Sequence, residues 1–453
     1  MEKSSKQDLN RNFIAIFLLY AAFFNCSMIL SVNIGNLLLY LPDTTASGIA
    51  LLVAFQLLVQ IVSLLFFGSY VTNITEKYSR KKIFLISNTM ICIGFFMVAI
   101  SINFTMFFIF SLVANFGNGA FLPIAFAIIG DSFPPKERGN KFGLMNFALL
   151  MGSGGGIIFG GLIGRFGGPI GWRIAYCFAA FLVLTAIIRY YQWGIEVRKG
   201  QSDPEFNDLE ADNQKYDYKI TFSNFNQILK KKSVIGIYIV VILTSITMST
   251  MGTWAIYFIS MKIDSPFATF IASTLVILTG LGGLFGTIFG GKMGDSLSQK
   301  GKVRGRTVIS LFATLLAIIF NMIFYLFLPF NANIIIFSFM LFFIVGFIAM
   351  FLASIPVGNI YAIYSEVCVP ENRGLANAMN GLMAKAGGVI GNFIISVLII
   401  SSISNLTLAV VFLLSISLIG SFLWLLPYIY YPKEAQKLRD LMAERRKELD
   451  LKK

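Results

Sequence analysis

The chain has 453 residues, of which 57% are hydrophobic and 13% charged. A soluble globule of that composition would carry more apolar surface than it could bury, which argues against a soluble enzyme and requires lipid to cover the excess. The net charge of +14 does not point to nucleic acid, because the Lys and Arg residues follow the ends of the apolar segments.

Windows of about 20 residues, the length that crosses roughly 30 Å of hydrocarbon, pick out about twelve apolar segments. They begin near Phe13, Ala46, Ile83, Thr105, Asn140, Trp172, Ser233, Phe267, Thr307, Ile334, Leu375 and Leu406. The first has no signal-peptide cleavage site before it, is too long for the apolar core of a signal peptide, and is expected to be retained as a helix. With the even-numbered connections and both termini on one side, every basic residue falls there except Arg165, Arg173, Lys262 and Lys385. The positive-inside rule then makes both termini cytoplasmic, which requires an even number of spans. Cys26, Cys92, Cys177 and Cys368 show no metal-ligand spacing and read as small core residues.

The longest polar stretch separates six segments from six. Within it Phe222, Phe225, Ile228 and Leu229 are spaced as a short amphipathic helix lying on the membrane surface. Leu438, Leu441, Met442 and Leu449 repeat the pattern in the tail, where a merely solvated charged helix is an equal alternative. The expected organisation is an all-α integral membrane protein of twelve transmembrane helices in two pseudo-symmetric six-helix bundles. The bundles cover 1–195 and 233–432, with a cytoplasmic linker at 196–232 and a basic cytoplasmic tail at 433–453.

A constant offset of 235 residues lays Asp131 on Glu366, Pro135 on Pro370, Arg138 on Arg373, Gly139 on Gly374, Gly152 on Gly387 and Gly156 on Gly391. Parallel repeats of a six-helix half place a binding site at their interface, near the bilayer midplane. The second-to-third connection reads Thr72, Glu76, Lys77, Ser79, Arg80, Lys81, and the eighth-to-ninth reads Gly291, Gly294, Asp295, then Arg304, Gly305, Arg306. Both resemble the loop motif of the major facilitator superfamily, Gly-x-x-x-Asp-Arg-x-Gly-Arg-Arg. The first copy has Thr for Gly and Glu for Asp, and the second has residues inserted before its arginines. The chemistry survives: a carboxylate to meet a helix N-terminus, and cations to meet an acid at the end of a neighbouring helix. The alternative is a set of positive-inside charges.

The fifth helix carries Gly152-x-x-x-Gly156-Ile157-x-x-Gly160-Gly161, similar to the superfamily's antiporter motif except that Ile157 replaces Pro. Tight helix packing is the plainer reading of those glycines. The run from Ile129 to Gly161, with Gly130, Asp131, Phe133, Gly152, Ser153 and Gly154, resembles the spinster branch, whose members carry lysophospholipids and sphingolipid phosphates. Where that branch has an acid in the fourth helix this chain has Asn118, and its Arg there is replaced by Ser111. Asn25 and Cys26 stand nearest the branch's adjacent Asp and Arg of the first helix, and Lys385 replaces a His of the eleventh. These departures weaken any expectation of proton coupling through carboxylates or of phosphate capture by that Arg.

At a rise of about 1.5 Å per residue, Lys385 lies about 18 Å beyond Arg373, too deep to snorkel out. Asn118 and Asn25 come to roughly the same depth, about 20 Å in. Together they are read as a substrate site in which Lys385 attracts an anionic group. The alternatives are a lysine held by carbonyls and amides that only bridge helices. Gln60, Ser249, Gln56 and Ser245 are further polar candidates, and Trp254 and Tyr257 are expected near the outer interface, in an aromatic belt or a gate. Gly286-x-x-x-x-Gly291-Lys292 nearly matches a phosphate loop, but Met293 replaces the needed Ser or Thr and the run reads as helix packing. Pro123 and Pro356 read as kinks or gating positions.

A gate is expected from Glu76, Arg80, Asp131, Arg138, Asp295, Arg304, Arg306, Glu366 and Arg373. Glu76 is matched to the helix start near Arg373 and Asp295 to that near Arg138. Arg80 or Lys81 is matched to Asp131, and Arg304 or Arg306 to Glu366. The expected function is alternating-access transport, active or facilitative, of an amphipathic or anionic small molecule, a lysolipid among the candidates. The alternatives are a drug or metabolite exporter and a non-transporting sensor or passive lipid-flipping protein. No catalytic residue, cofactor or metal is expected, and the partners are membrane lipids and a small-molecule or lipid substrate, with no nucleic acid and a monomeric state.

Overall fold

The computed structural model describes residues 5–67, 79–119, 121–133, 135–197, 222–400 and 405–451. Among them twelve spans are long and apolar enough to cross a membrane, beginning at Lys6, Ala46, Arg80, Phe104, Lys141, Gly168, Lys232, Ala268, Gly305, Ile335, Asn372 and Leu406. Large apolar side chains stay exposed on many of these helices, among them Ile86, Phe181, Phe285, Phe312 and Ile419. Such surface suits hydrocarbon rather than water.

The chain divides into two compact units, residues 1–218 and 219–453. The first holds α1 (Lys6–Tyr40), α2 (Ala46–Leu65), α3 (Arg80–Ala99), α4 (Phe104–Gly119), α5 (Phe121–Ser132), α6 (Pro135–Phe166) and α7 (Gly171–Trp193). In the second are α8 (Phe222–Leu229), α9 (Lys232–Ser260), α10 (Ala268–Gln299), α11 (Gly305–Met322, continued by a π-helical turn at Ile323–Phe327), α12 (Ile335–Val367), α13 (Pro370–Leu398), α14 (Leu406–Phe422) and α15 (Leu425–Leu451).

Glycines set the closest helix pairs. In the first unit Gly152, Gly156, Gly160 and Gly164 of α6 lie against Ala21, Asn25, Ile29 and Asn33 of α1, one helical turn apart on each. Asn33 Nδ2 donates to the Gly160 carbonyl at 3.2 Å and Asn36 Nδ2 to that of Gly164 at 3.1 Å, tying the same pair together. In the second unit Gly387 and Gly391 of α13 meet Ile242 and Ile246 of α9 in the same way, so the repeat seen in sequence is also a repeat of packing. Gly282, Gly286 and Gly290 of α10 lie on Phe347, Phe351 and Ile355 of α12. The near match to a phosphate loop is therefore the middle of a helix–helix seam.

Acids fasten the starts of two spans. Glu196 accepts from the Arg80 and Lys81 amides at 2.8 and 3.1 Å and from the Ser79 hydroxyl. Glu434 accepts from the Lys232 and Ser233 amides at 2.8 and 3.2 Å and from the Ser233 hydroxyl. Both carboxylates satisfy orphan N–H groups at the positive end of a helix. Two of the basic residues that break the charge rule do the opposite job. Arg173 Nη1 donates to the Ala99 carbonyl at 2.9 Å while stacking over Trp172, and Lys262 Nζ donates to Tyr325 and Leu328 carbonyls at 2.5 and 3.3 Å. Each cation meets carbonyls at the end of a span. Burial lowers the Lys262 ammonium below its ordinary value.

The amphipathic linker helix needs a correction. Ile228 of α8 is fully buried in a cluster with Val234, Tyr364, Val367, Tyr431 and Ala435, so that position packs on protein rather than lying on lipid. Tyr431 and Ala435 come from α15, whose first turns therefore also belong to the unit, while Leu441 and Met442 remain exposed. Phe222 and Phe225 have side chains outside the described residues.

Candidate substrate site

The second unit encloses a cavity of about 420 Å³ between α9, α10, α11, α12, α13 and the α14–α15 junction. Among the described residues, no Lys, Arg, Asp or Glu lines it. Its polar groups are mostly committed to neighbours: Thr247 Oγ1 donates to the Leu413 carbonyl and Ser417 Oγ to Thr247 Oγ1, both at 2.6 Å. Asn321 Nδ2 donates to the Ala317 carbonyl at 2.8 Å, and Asn380 Oδ1 accepts from the Tyr364 hydroxyl at 2.8 Å. Trp424 differs. It is fully buried, lines the cavity, and its Nε1–H has no partner.

Local irregularities shape the walls. Pro356, inside α12, removes one helical hydrogen bond and lines the cavity. The π turn carries Phe324 and Tyr325 into it, and such turns recur at functional sites. The space is thus a mainly apolar chamber with amide and hydroxyl groups on its walls, and with the buried Trp424 indole N–H left without a partner among the described residues.

Lys385 is half-buried on α13, next in sequence to Ala384, which lines the cavity, and one turn past Gly381. It is not itself a lining residue. Ser245 lines the cavity, whereas Ser249 accepts from Thr253 Oγ1 through its carbonyl at 3.4 Å. Trp254 is completely buried, edge-on to Tyr257 at 6.1 Å, so the lipid-facing belt expected there does not describe Trp254. In the first unit Gln60 Nε2 donates to Asn115 Oδ1 at 2.6 Å, and Asn118 is half-buried on α4. Asn25 lines a separate groove of its unit, among α1, α6 and α7, and Asn118 does not.

Residues of the expected gate pair with acids inside each unit. Arg80 Nη1 lies 2.6 Å from Asp131 Oδ2, while Lys81 turns away to the Tyr191 carbonyl. Arg306 Nη2 lies 2.7 Å from Asp295 Oδ1 and 3.1 Å from Glu366 Oε1, and Tyr431 also donates to Glu366. Arg304 instead sits over the Tyr428 ring, so Arg306 is the partner of the acid. Arg373 Nε reaches the Cys368 carbonyl at 3.4 Å. Glu76 and the side chain of Arg138 lie outside the described residues.

Sequence reasoning overlooked Asn321, Asn380 and Trp424. The two asparagines were visible as amides within apolar runs, but spacing gives depth and not the neighbour a side chain faces.

Two six-span units held by glycine seams, with an uncharged chamber in one and Arg–carboxylate clusters in both, define a multi-pass membrane transporter fold. The chain belongs to the Major Facilitator Superfamily, whose family model matches residues 13–364. It is 33% identical over 134 residues to Multidrug resistance protein 3 of Bacillus subtilis, 29% of this chain and 26% of that protein. To the probable sphingolipid transporter spinster homolog 1 of Arabidopsis thaliana it is 26% identical over 133 residues, 28% of this chain and 26% of that protein. These matches span about a quarter of the curated relatives' lengths. In fold it resembles a bacterial homolog of the human lysosomal transporter Spinster, crystallised inward-facing and unoccupied, with a TM-score of 0.73 at 14% identity over 95% of this chain and 99% of that one. The nucleoside transporter NupG follows, with a TM-score of 0.65 at 14% identity over 94% and 98%.

Proposed function

We propose that this protein moves an amphipathic anion across the membrane by alternating access, a lysolipid being the substrate class that fits best. The observation that carries the reading is the uncharged chamber of the second unit, with Lys385 following a residue of its wall. An apolar body gains by leaving water for such a chamber. An ammonium within a span carries a solvation penalty that an anionic headgroup offsets. The likeness to a probable sphingolipid transporter agrees. Both termini are taken as cytoplasmic, and the Arg80–Asp131 and Arg306–Glu366 clusters as parts of the gate.

Flux of lysophosphatidate into proteoliposomes tests this. Uptake should persist without a proton or sodium gradient, and Lys385→Met should slow it while leaving the protein folded. Unchanged uptake in Lys385→Met overturns the anionic assignment. The likeness to a multidrug resistance protein favours a second reading, export of drugs or metabolites; faster flux of an uncharged or cationic drug than of the lysolipid would select it.

A further inference from the structure

The groove in the first unit has no part in the transport reading. It holds about 430 Å³ and is walled by Leu18 and Ala22 of α1, Met151 and Phe159 of α6, and Phe178 and Leu182 of α7. Leu18, Met151 and Phe159 are 39%, 54% and 50% exposed, so the groove opens outward along an apolar surface. Gly152 and Gly155 form its α6 floor, and no side chain rises from them to fill it.

Three features give it polarity. At one end the exposed Arg189 lines the groove, its guanidinium over the Trp193 ring at 5.2 Å and its Nη1 donating to Gln192 Oε1 at 3.4 Å. The other end is closed by Phe159 and Phe178, ring centroids 5.9 Å apart. Between them sits Asn25, only 5% exposed, with its Oδ1 unpartnered and its amide lying across Gly155. A buried polar atom left unpaired is costly, and an occupant that answers it gains the difference.

Helix rise scales the groove. Phe178 and Arg189 are 11 residues apart on α7, about 16 Å, close to half of the roughly 30 Å hydrocarbon core. Gly155 stands four residues before Phe159, which places the Asn25 amide about 10 Å from the level of Arg189.

From this we infer that the groove binds a single-chain lipid anion, its charged head at Arg189 and a mid-chain hydroxyl at the Asn25 amide. The chain lies on the glycine floor and ends against Phe159 and Phe178. A guanidinium pairs with carboxylate or phosphate, so either head meets the charge requirement. Only a chain with a hydrogen-bonding group near its middle meets the second.

Oleate, ricinoleate and methyl ricinoleate separate the two contacts, since the first lacks the hydroxyl and the last lacks the charge. Each is competed against labelled ricinoleate on the full chain in nanodiscs. Ricinoleate should bind about tenfold more tightly than oleate, the worth of one hydrogen bond to a buried group. Asn25→Val should erase that preference. Arg189→Gln, an exposed substitution that spares the fold, should bring ricinoleate to the level of its methyl ester and leave the ester unchanged. Both effects should persist in Lys385→Met, which keeps this site distinct from the transport reading. Equal binding of oleate and ricinoleate by the unmodified protein, ricinoleate binding indifferent to Arg189→Gln or lost in Lys385→Met, or no saturable binding overturns the inference.

Discussion

Arg306 Nη2 stands 3.1 Å from Glu366 Oε1, and the arginine side chain that makes this contact is 6% exposed. The same nitrogen holds Asp295 at 2.7 Å, so one buried cation answers acids from α10 and α12. Losing the cation leaves Glu366 half-buried with Tyr431 as its remaining donor among the described residues, whereas neutralising Glu366 leaves Arg306 its bond to Asp295. Arg306→Met should therefore cost about 3 kcal/mol, the low end for a broken buried pair because Asp295 is mostly exposed, and Glu366→Gln about 1 kcal/mol. Melting temperatures in detergent check the order. The reverse order would show that the pair does not hold these helices.

The glycines of α6 are not equivalent. A methyl at Gly156 would strike the Asn25 carbonyl, while one at Gly154 would meet nothing within 4 Å. Gly156→Ala should lose about 1 to 3 kcal/mol by forcing α1 and α6 apart. Gly154→Ala should gain about 0.5 to 1 kcal/mol from helix propensity. Equal melting temperatures for the two would mean that the seam yields without strain.

Much of this was legible in the sequence, and the limit has a physical basis. Span positions follow from hydropathy alone, and the starts at Ala46 and Leu406 agree to the residue. The Arg80–Asp131 and Arg306–Glu366 contacts follow from the 235-residue repeat joined to charge complementarity. What failed needed direction around a helix. Ile228 has an amphipathic spacing that suits lipid or protein equally, and only the neighbours Tyr364 and Tyr431 decide for protein. Trp254 near a span end looked like a belt residue, yet its face turns inward. Arg173 and Lys262 appeared as exceptions to a charge rule because the carbonyls they meet belong to helices distant in sequence.

Lys262 should leave a pH signature. Its ammonium is held below the ordinary value of 10.5 by burial, so between the folded and unfolded values the unfolded chain binds more protons. Stability then rises with pH through that window, since burial penalises the charged form that prevails below it. As the pH rises toward the ordinary lysine value of 10.5, the unmodified protein should gain stability relative to Lys262→Met, the other lysines cancelling in the comparison. Thermal unfolding of both in detergent measures it. A stability difference that stays constant, or that shifts against the unmodified protein as the pH rises, would mean that the two carbonyl contacts offset the desolvation.

Trp424 allows the chamber to be tested without knowing its occupant. The indole is completely buried and its Nε1–H has no partner, although it lines a cavity with amides and hydroxyls on its walls. Trp424→Phe removes that donor and keeps most of the ring. Deleting an unsatisfied buried donor is neutral or stabilising, apart from a small packing loss, whereas deleting a bonded one costs about 1 to 3 kcal/mol. If the donor waits for an acceptor on the substrate, the variant should melt within about 1 kcal/mol of the parent, while a lysolipid with an ester carbonyl binds about tenfold more weakly. The ether-linked analogue, a poorer acceptor, should lose less. A variant that unfolds early would instead show that the indole is already bonded in the folded protein, and equal losses for ester and ether would show that the chamber selects by volume alone.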